Sequence, residues 1–308
     1  MDTIYITEPT AINASIIKGL VPAGCHIIEG TTTFEGNGLD DCTVLAIRSA
    51  TKVSATIKSH FPNLKHIIRV GVGVDNVDMD FCNAEGIAVY NAPGANADAV
   101  SDYIVAMMLH ALRNLNQLTH QDIQSWNRFK FNGHSLGSRT IGIVGFGNIG
   151  KQIFSKLQGF NCQGFYIYDP FLKPEDTPAG ATNASNLDDV LSQCDIVTLH
   201  LPLLDSTRYL INKDNLSLLP DGAILINASR GGIVNEVDIV AYMADHDLTY
   251  IADTVEGEPH VSQAMLDSPR TIITPHIASL TKEANDNVIK VAVQNYLDNK
   301  PMNKPETN

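Results

Sequence analysis

Short apolar runs alternate with helical stretches from one end of this chain to the other. In the first third, strand-like runs fall at residues 4–7, 44–47, 66–68 and 88–90, with helical spacing at 13–20 and 53–59. From residue 140 the alternation is cleaner, with runs at 140–144, 165–168, 196–199, 223–226, 249–251 and 271–273. Several are apolar at every position, as expected of parallel strands covered on both faces. The alternation of strand and helix predicts an α/β fold of parallel sheets with right-handed crossovers.

A long helical pattern over about 98–115 separates two halves. Val100, Ile104, Met107, Met108, Ala111, Leu112 and Leu115 recur at helical spacing, and the methionines read as core filler. Residues 115–136 are polar and irregular, hold the only tryptophan, Trp126, and predict a surface arm. A last helix over 281–299 follows the final strand. At 308 residues and about 150 per domain, two domains are expected.

Acidic residues number 34 against 21 basic, a net charge of −13, which argues against a general nucleic-acid or membrane-surface binder. A small anion could still be bound, given locally placed arginines. The five cysteines, at 25, 42, 82, 162 and 194, form no CxxC pair and read as buried thiols of a reducing compartment. The N-terminus reads as a first strand rather than a leader, and no apolar run approaches the ~18 residues of a membrane span, so a soluble cytoplasmic protein is expected. No metal site is expected.

Gly145-Phe-Gly147-Asn148-Ile149-Gly150 directly follows the buried run 140–144 and opens a helical pattern at 149–157. Asp169 ends the next strand, 19 residues after Gly150. Strand, glycine turn, helix and acid in this order are the dinucleotide-binding fingerprint. The glycines permit the turn, the backbone approach to a pyrophosphate and the close packing of helix on strand, and the helix N-terminus presents N–H groups to the phosphates. Asp169 can accept hydrogen bonds from both ribose hydroxyls and repels a 2′-phosphate, which favours NAD over NADP.

Ligands of open α/β sheets bind beyond the carboxyl ends of the strands. There the late strands lead into Asn227-Ala228-Ser229-Arg230-Gly-Gly, Asp253-Thr254-Val255-Glu256-Gly257-Glu258-Pro259 and Thr274-Pro275-His276. A guanidinium binds a carboxylate bidentately, a histidine moves a proton near neutral pH, and a carboxylate beside it stabilises its cation. Spacing alone does not choose between Glu256 and Glu258, and Arg230 could equally make a structural ion pair. His26, His60, His120 and His246 carry no such context.

The glycine fingerprint, Asn-Ala-Ser-Arg230-Gly-Gly-Ile-Val-Asn-Glu, Asp253-x4-Glu258-Pro and Thr-Pro-His276-Ile-Ala together resemble the D-isomer-specific 2-hydroxyacid dehydrogenases over essentially the whole chain. The resemblance implies two Rossmann-like or flavodoxin-like parallel-sheet domains with an active site in the cleft between them. It implies that Arg230 holds the substrate carboxylate, His276 exchanges the proton, and Glu258, rather than Glu256, buttresses the histidine. The implied NAD contacts are Asn148, Ile149, Asp169, Ala228, Ser229, Arg230 and Asp253, with the loop from His276 through Ala278 to Ser279. Residues 1–95 plus 279–308 would form a discontinuous substrate-binding domain and residues 96–278 the NAD domain. A homodimer built around the long helix and the arm is implied as well. The family's formate dehydrogenases have glutamine at the Glu258 position, so the resemblance does not extend to them.

The motifs around Arg48 and Arg69 resemble the phosphoglycerate dehydrogenase branch, which points to D-3-phosphoglycerate as the substrate, with Arg48, Arg69, Val72 and Gly73 beside it. Either arginine could instead pair with a carboxylate such as Asp75. Val72, Leu201, Asp102 and Thr254 depart from that branch. The chain stops soon after the last helix, so the regulatory C-terminal domain of longer members is not expected. The rivals are a glyoxylate, hydroxypyruvate or other 2-keto acid reductase and, in another class, an NAD(H)-sensing corepressor-like binding protein.

Overall fold

The apolar runs of the first third become strands β1 (Thr3–Ile6), β3 (Val44–Ile47), β4 (His66–Arg69) and β5 (Ala88–Tyr90). Between them lie α1 (Ala14–Leu20), β2 (His26–Glu29), α2 (Ile57–His60) and α3 (Met79–Ala84). All five strands are parallel, in the order β2-β1-β3-β4-β5. Central β3 is buried throughout: Val44 and Ala46 face a core shared with Ile17 of α1, whereas Leu45 and Ile47 face Ile57, Phe61 and Cys82. β2 shows no continuous apolar run in the sequence, because none of its residues is buried. The helical spacing at 53–59 yields only the single turn of α2, since Val53 is drawn into a bridge with Val77.

The second unit opens with α4 (Ala97–Leu112), followed by α5 (His120–Gln124). α4 stops short of residue 115, where Asn114 takes a left-handed conformation (φ 52°). In the 115–136 arm, Trp126 and Phe129 are 78% and 82% exposed. Then come β6 (Thr140–Val144), α6 (Asn148–Leu157), β7 (Gly164–Tyr168), β8 (Thr182–Asn183), α7 (Leu187–Gln193), β9 (Ile196–Leu199), β10 (Ala223–Asn227), α8 (Glu236–Asp245), β11 (Leu248–Ala252), α9 (Gln263–Asp267) and β12 (Thr271–Ile273). The seven parallel strands run β12-β11-β10-β9-β6-β7-β8. One face of the sheet, with Ile141, Ile143, Ile224 and Ile226, packs on α4 and α6. The other, with Val197, Leu225 and Tyr250, packs on α7 and α8. The chain ends with α10 (Lys282–Leu297), whose Val288, Ile289, Ala292 and Val293 join the β1–β3 core of the first unit.

This computed structural model describes residues 2–34 and 39–302. The two units are Met1–Asn96 with Leu280–Asn308, and Ala97–Ser279. Among the described residues, no helix is long and apolar enough to cross a membrane.

Candidate active site

The order of the second sheet reverses between β6 and β9, and the glycine fingerprint leaves β6 at that point. Gly145 turns the chain with φ 91°, and a Cβ there would stand 2.4 Å from the carbonyl oxygen of His200. Gly150 lets α6 approach so closely that a Cβ would lie 2.3 Å from the carbonyl oxygen of Gly145. Gly147 is the N-cap of α6 and offers no side chain, so the first-turn amides of Asn148 and Ile149 open onto a surface where a Cβ on Gly147 would meet nothing within 4 Å. Asp169, just past β7, accepts from the N–H of Phe146 (2.7 Å) and of Phe171 (2.9 Å). Each oxygen keeps a further lone pair for a ribose hydroxyl. Amides for a pyrophosphate and a carboxylate for a ribose fit a dinucleotide.

β10, β11 and β12 are neighbours, so the loops leaving their carboxyl ends lie side by side. Asn227, fully buried at the end of β10, shapes the first loop. Its Oδ1 accepts from the N–H (3.2 Å) and hydroxyl (2.8 Å) of Ser229, and its Nδ2 donates to the carbonyl of Arg230 (2.8 Å). Arg230 Nη1 donates to the carbonyl of Ser229 (2.7 Å). Ala228 and Ser229 are buried.

Asp253, just past β11, is 2% exposed. Its carboxylate accepts from the hydroxyl of Thr274 (2.6 Å) and the N–H groups of Ile277 (2.8 Å) and Ala278 (2.9 Å). With Thr274 donating to Asp253, Tyr103 of α4 must donate to Thr274 (2.6 Å). These bonds, and those from the His276 N–H to the carbonyls of Asp253 (2.9 Å) and Thr274 (3.0 Å), hold His276 at φ 55°. That conformation costs a non-glycine residue about 1–3 kcal/mol and persists only where its surroundings over-determine it. The Asp253 carboxylate thus builds the turn that carries the histidine.

Glu256 and Glu258 part company. Glu258 Oε2 lies 2.9 Å from His276 Nδ1, while its Oε1 accepts from the N–H of Val255 (3.1 Å). Glu256 instead takes Arg208 Nη1 (3.1 Å) and the hydroxyl of Tyr209 (2.8 Å). The hydrogen bond from His276 Nδ1 to Glu258 raises the pKa of His276 against the opposing effect of burial; the charges of Glu258 and Asp253 add to the rise and Arg230 opposes it. Burial alone would raise the pKa of Glu258, but the bond and charge of His276 outweigh it, and with the Val255 N–H and Arg230 they leave it lowered. The result is an ion pair whose Nδ1 carries a proton toward Glu258 and whose Nε2 is left for chemistry.

Arg48, Arg69, Val72 and Gly73 belong to the first unit. Arg48 follows β3 and is half-buried; its Nη1 donates to the carbonyl of Ala11 (3.1 Å) and to Asn285 Oδ1 (3.3 Å). Burial lowers its pKa, with Glu8 opposing. Arg69 ends β4, with Nε toward Asn76 Oδ1 (3.4 Å) and Nη1 toward the carbonyl of Val70 (3.4 Å). Val72 accepts from Asn91 through its carbonyl (2.6 Å). Among the divergent positions, Asp102 pairs with Lys156 (2.5 Å) across α4 and α6, and the Thr254 hydroxyl is buried with no hydrogen-bond partner among the described residues.

Sequence reasoning missed Asn227, Tyr103 and Thr274 as organisers of the site. Thr274 stands in the quoted Thr-Pro-His, but its partners are 21 and 171 residues away, and no periodicity reports them.

A family model, "D-isomer specific 2-hydroxyacid dehydrogenase, NAD binding domain", matches residues 105–278. The chain is 36% identical over 246 residues to a D-3-phosphoglycerate dehydrogenase of Bacillus subtilis, covering 79% of this chain and 47% of that protein. It thus spans about half the length of that relative. It is 33% identical to a hydroxypyruvate reductase of Thermotoga maritima, covering 81% of this chain and 82% of that one. The cofactor (NAD+) bound 3-phosphoglycerate dehydrogenase of Entamoeba histolytica superposes with a TM-score of 0.80 at 25% identity over 99% of both chains. Fingerprint, sheet order and family match agree, and the chain belongs to the D-isomer specific 2-hydroxyacid dehydrogenase family and carries its NAD-binding domain.

Proposed function

We propose that this protein moves a hydride between C2 of a D-2-hydroxy acid and NAD, with D-3-phosphoglycerate and 3-phosphohydroxypyruvate as the leading pair. The carrying observation is the 2.9 Å contact between Glu258 and His276, on the loops that leave β11, the neighbour of the strand preceding Arg230, and β12 on its far side. Arg230 takes the substrate carboxylate through paired N–H donors. His276 Nε2 accepts the hydroxyl proton in oxidation and returns it in reduction, with Glu258 stabilising the imidazolium. Asn148, Ile149, Gly147 and Asp169 would hold NAD, which supplies the hydride acceptor when bound. Ala278 and Ser279 would close around it.

A phosphorylated substrate carries a second anion and needs a further cation to recognise it; the similarity to a D-3-phosphoglycerate dehydrogenase supports that reading and makes Arg69 the candidate. The commitment of Arg48 Nη1 to Ala11 and Asn285 weighs the other way, and with it stands the similarity to a hydroxypyruvate reductase. The second reading is therefore a reductase of hydroxypyruvate or glyoxylate. A steady-state panel of phosphorylated and plain acids decides: equal kcat/KM with and without phosphate ends the phosphoglycerate reading, and NADH binding with no turnover on any acid ends the enzyme reading. We also propose that the exposed Trp126 and Phe129 cover a second copy of the chain in a homodimer.

A further inference from the structure

Glu236 is a carboxylate that the chemistry above leaves unused, yet it is 9% exposed. It is the first residue of α8, six positions after Arg230. A buried carboxylate is costly unless something is bound to it. Here the partner is the backbone N–H of Glu256, which donates to Glu236 Oε1 at 2.7 Å. The residue thus reaches from the segment that carries Arg230 to the loop that carries Glu258. Gly231 makes the same junction by contact: a Cβ there would lie 2.1 Å from the carbonyl oxygen of Val255 and 2.5 Å from the nitrogen of Glu256, so the two backbones meet with no side chain between them.

The remaining neighbours fix the junction from outside. The N–H of Tyr209 donates to the carbonyl of Gly232 (2.7 Å), and Asn235 donates to the carbonyl of Ile211 (2.8 Å). The side chain of Glu256 is taken by Arg208 and Tyr209, and its backbone N–H is the one that meets Glu236. The charged or titratable groups coupled to Glu236 are Glu256, Glu258 and the buried phenol of Tyr250. Burial raises the pKa of Glu236; the Glu256 N–H opposes this, and the charges of Glu256 and Glu258 add to it.

We infer that Glu236 is a positioning residue: through the Glu256 N–H it sets the loop bearing Glu258, and so the Glu258–His276 pair, against the segment bearing Arg230. The inference rests on the dehydrogenase reading of those three residues. One bond matters because Glu258 reaches His276 from a loop with no regular structure, and misplacing a reacting group by an ångström can cost about 10²-fold.

The test compares wild-type enzyme with Glu236→Gln, which keeps an oxygen acceptor, and with Glu236→Ala and Glu236→Met, which do not; Met also fills the volume should Ala impair folding. Three quantities are read: kcat/KM against pH for D-3-phosphoglycerate oxidation and glyoxylate reduction, NADH affinity by fluorescence, and the His276 titration by NMR of labelled histidine, assigned with His276→Ala. In Ala and Met, kcat/KM falls by about 10- to 10²-fold, mainly in kcat, NADH affinity holds, and the His276 midpoint drops toward that of an ordinary histidine. Gln restores most of the loss. An unmoved His276 midpoint in both Ala and Met, or a Gln variant as impaired as Ala, overturns the inference. Should wild type bind NADH but turn over neither acid while the midpoint still drops in Ala, the dehydrogenase reading falls and the positioning of His276 stands.

Discussion

The carboxylate of Glu258 lies 2.9 Å from Nδ1 of His276, and the next acid along the chain toward the N-terminus, Glu256, is held away by Arg208 and Tyr209. Two glutamates equivalent in spacing thus have opposite surroundings, and one of them sets the protonation of the histidine.

That pairing fixes the pH behaviour. If His276 exchanges the proton as proposed, its raised pKa is expected to make oxidation, which needs the neutral imidazole, decline as pH falls through that value and reduction decline as pH rises through it. Glu258→Gln removes the main cause of the rise and moves the limb to lower pH; an unmoved limb would separate Glu258 from the chemistry. Folding stability follows the same signs. The part from His276 is full below the unfolded histidine pKa and is lost as pH rises through the raised one. The part from Glu258 is present above the unfolded glutamate pKa and is lost as pH falls through its lowered value.

His276→Ala is expected to lower kcat by about 10²- to 10⁴-fold with NADH binding nearly intact. Stopped-flow turnover and fluorescence titration measure the two separately, and full activity would remove the imidazole from the reaction.

Asp169→Ala is expected to relax discrimination against NADP and to weaken NAD binding, because the carboxylate also anchors the N–H groups of Phe146 and Phe171. The ratio of kcat/KM for the two cofactors is the measurement. An unchanged ratio would mean another group reads the ribose.

Arg48 and Arg69 are expected to behave differently. Arg48→Ala loses bonds to Ala11 and Asn285 and costs about 1–3 kcal/mol of stability, seen as a lower Tm. Arg69→Ala raises KM for D-3-phosphoglycerate more than for hydroxypyruvate. Equal rises would take the phosphate away from Arg69.

Trp126→Glu together with Phe129→Glu is expected to shift the chain from dimer to monomer in sedimentation, since both rings are largely exposed in the single chain. A wild-type chain that sediments as a monomer ends that proposal.

Much of this protein follows from local chemistry written along the chain. Parallel strands covered on both faces are apolar at nearly every position, so β3, β6, β9 and β10 are visible as runs. The glycine turn is visible because the approach of His200 and of Gly145 to neighbouring backbone excludes a Cβ, a requirement met by residue type alone. The edge strands β5 and β12 keep apolar runs, whereas the equally marginal β2, with no buried residue, and β8, two polar residues long, carry no such mark. Nor does the choice of partners: Glu256 and Glu258 differ only in which way the loop faces, Arg48 is drawn to Asn285 across 237 positions, and Tyr103 meets Thr274 across 171. Periodicity and residue type are properties of neighbours in sequence, whereas these bonds depend on which strands lie side by side, and only the folded sheet decides that.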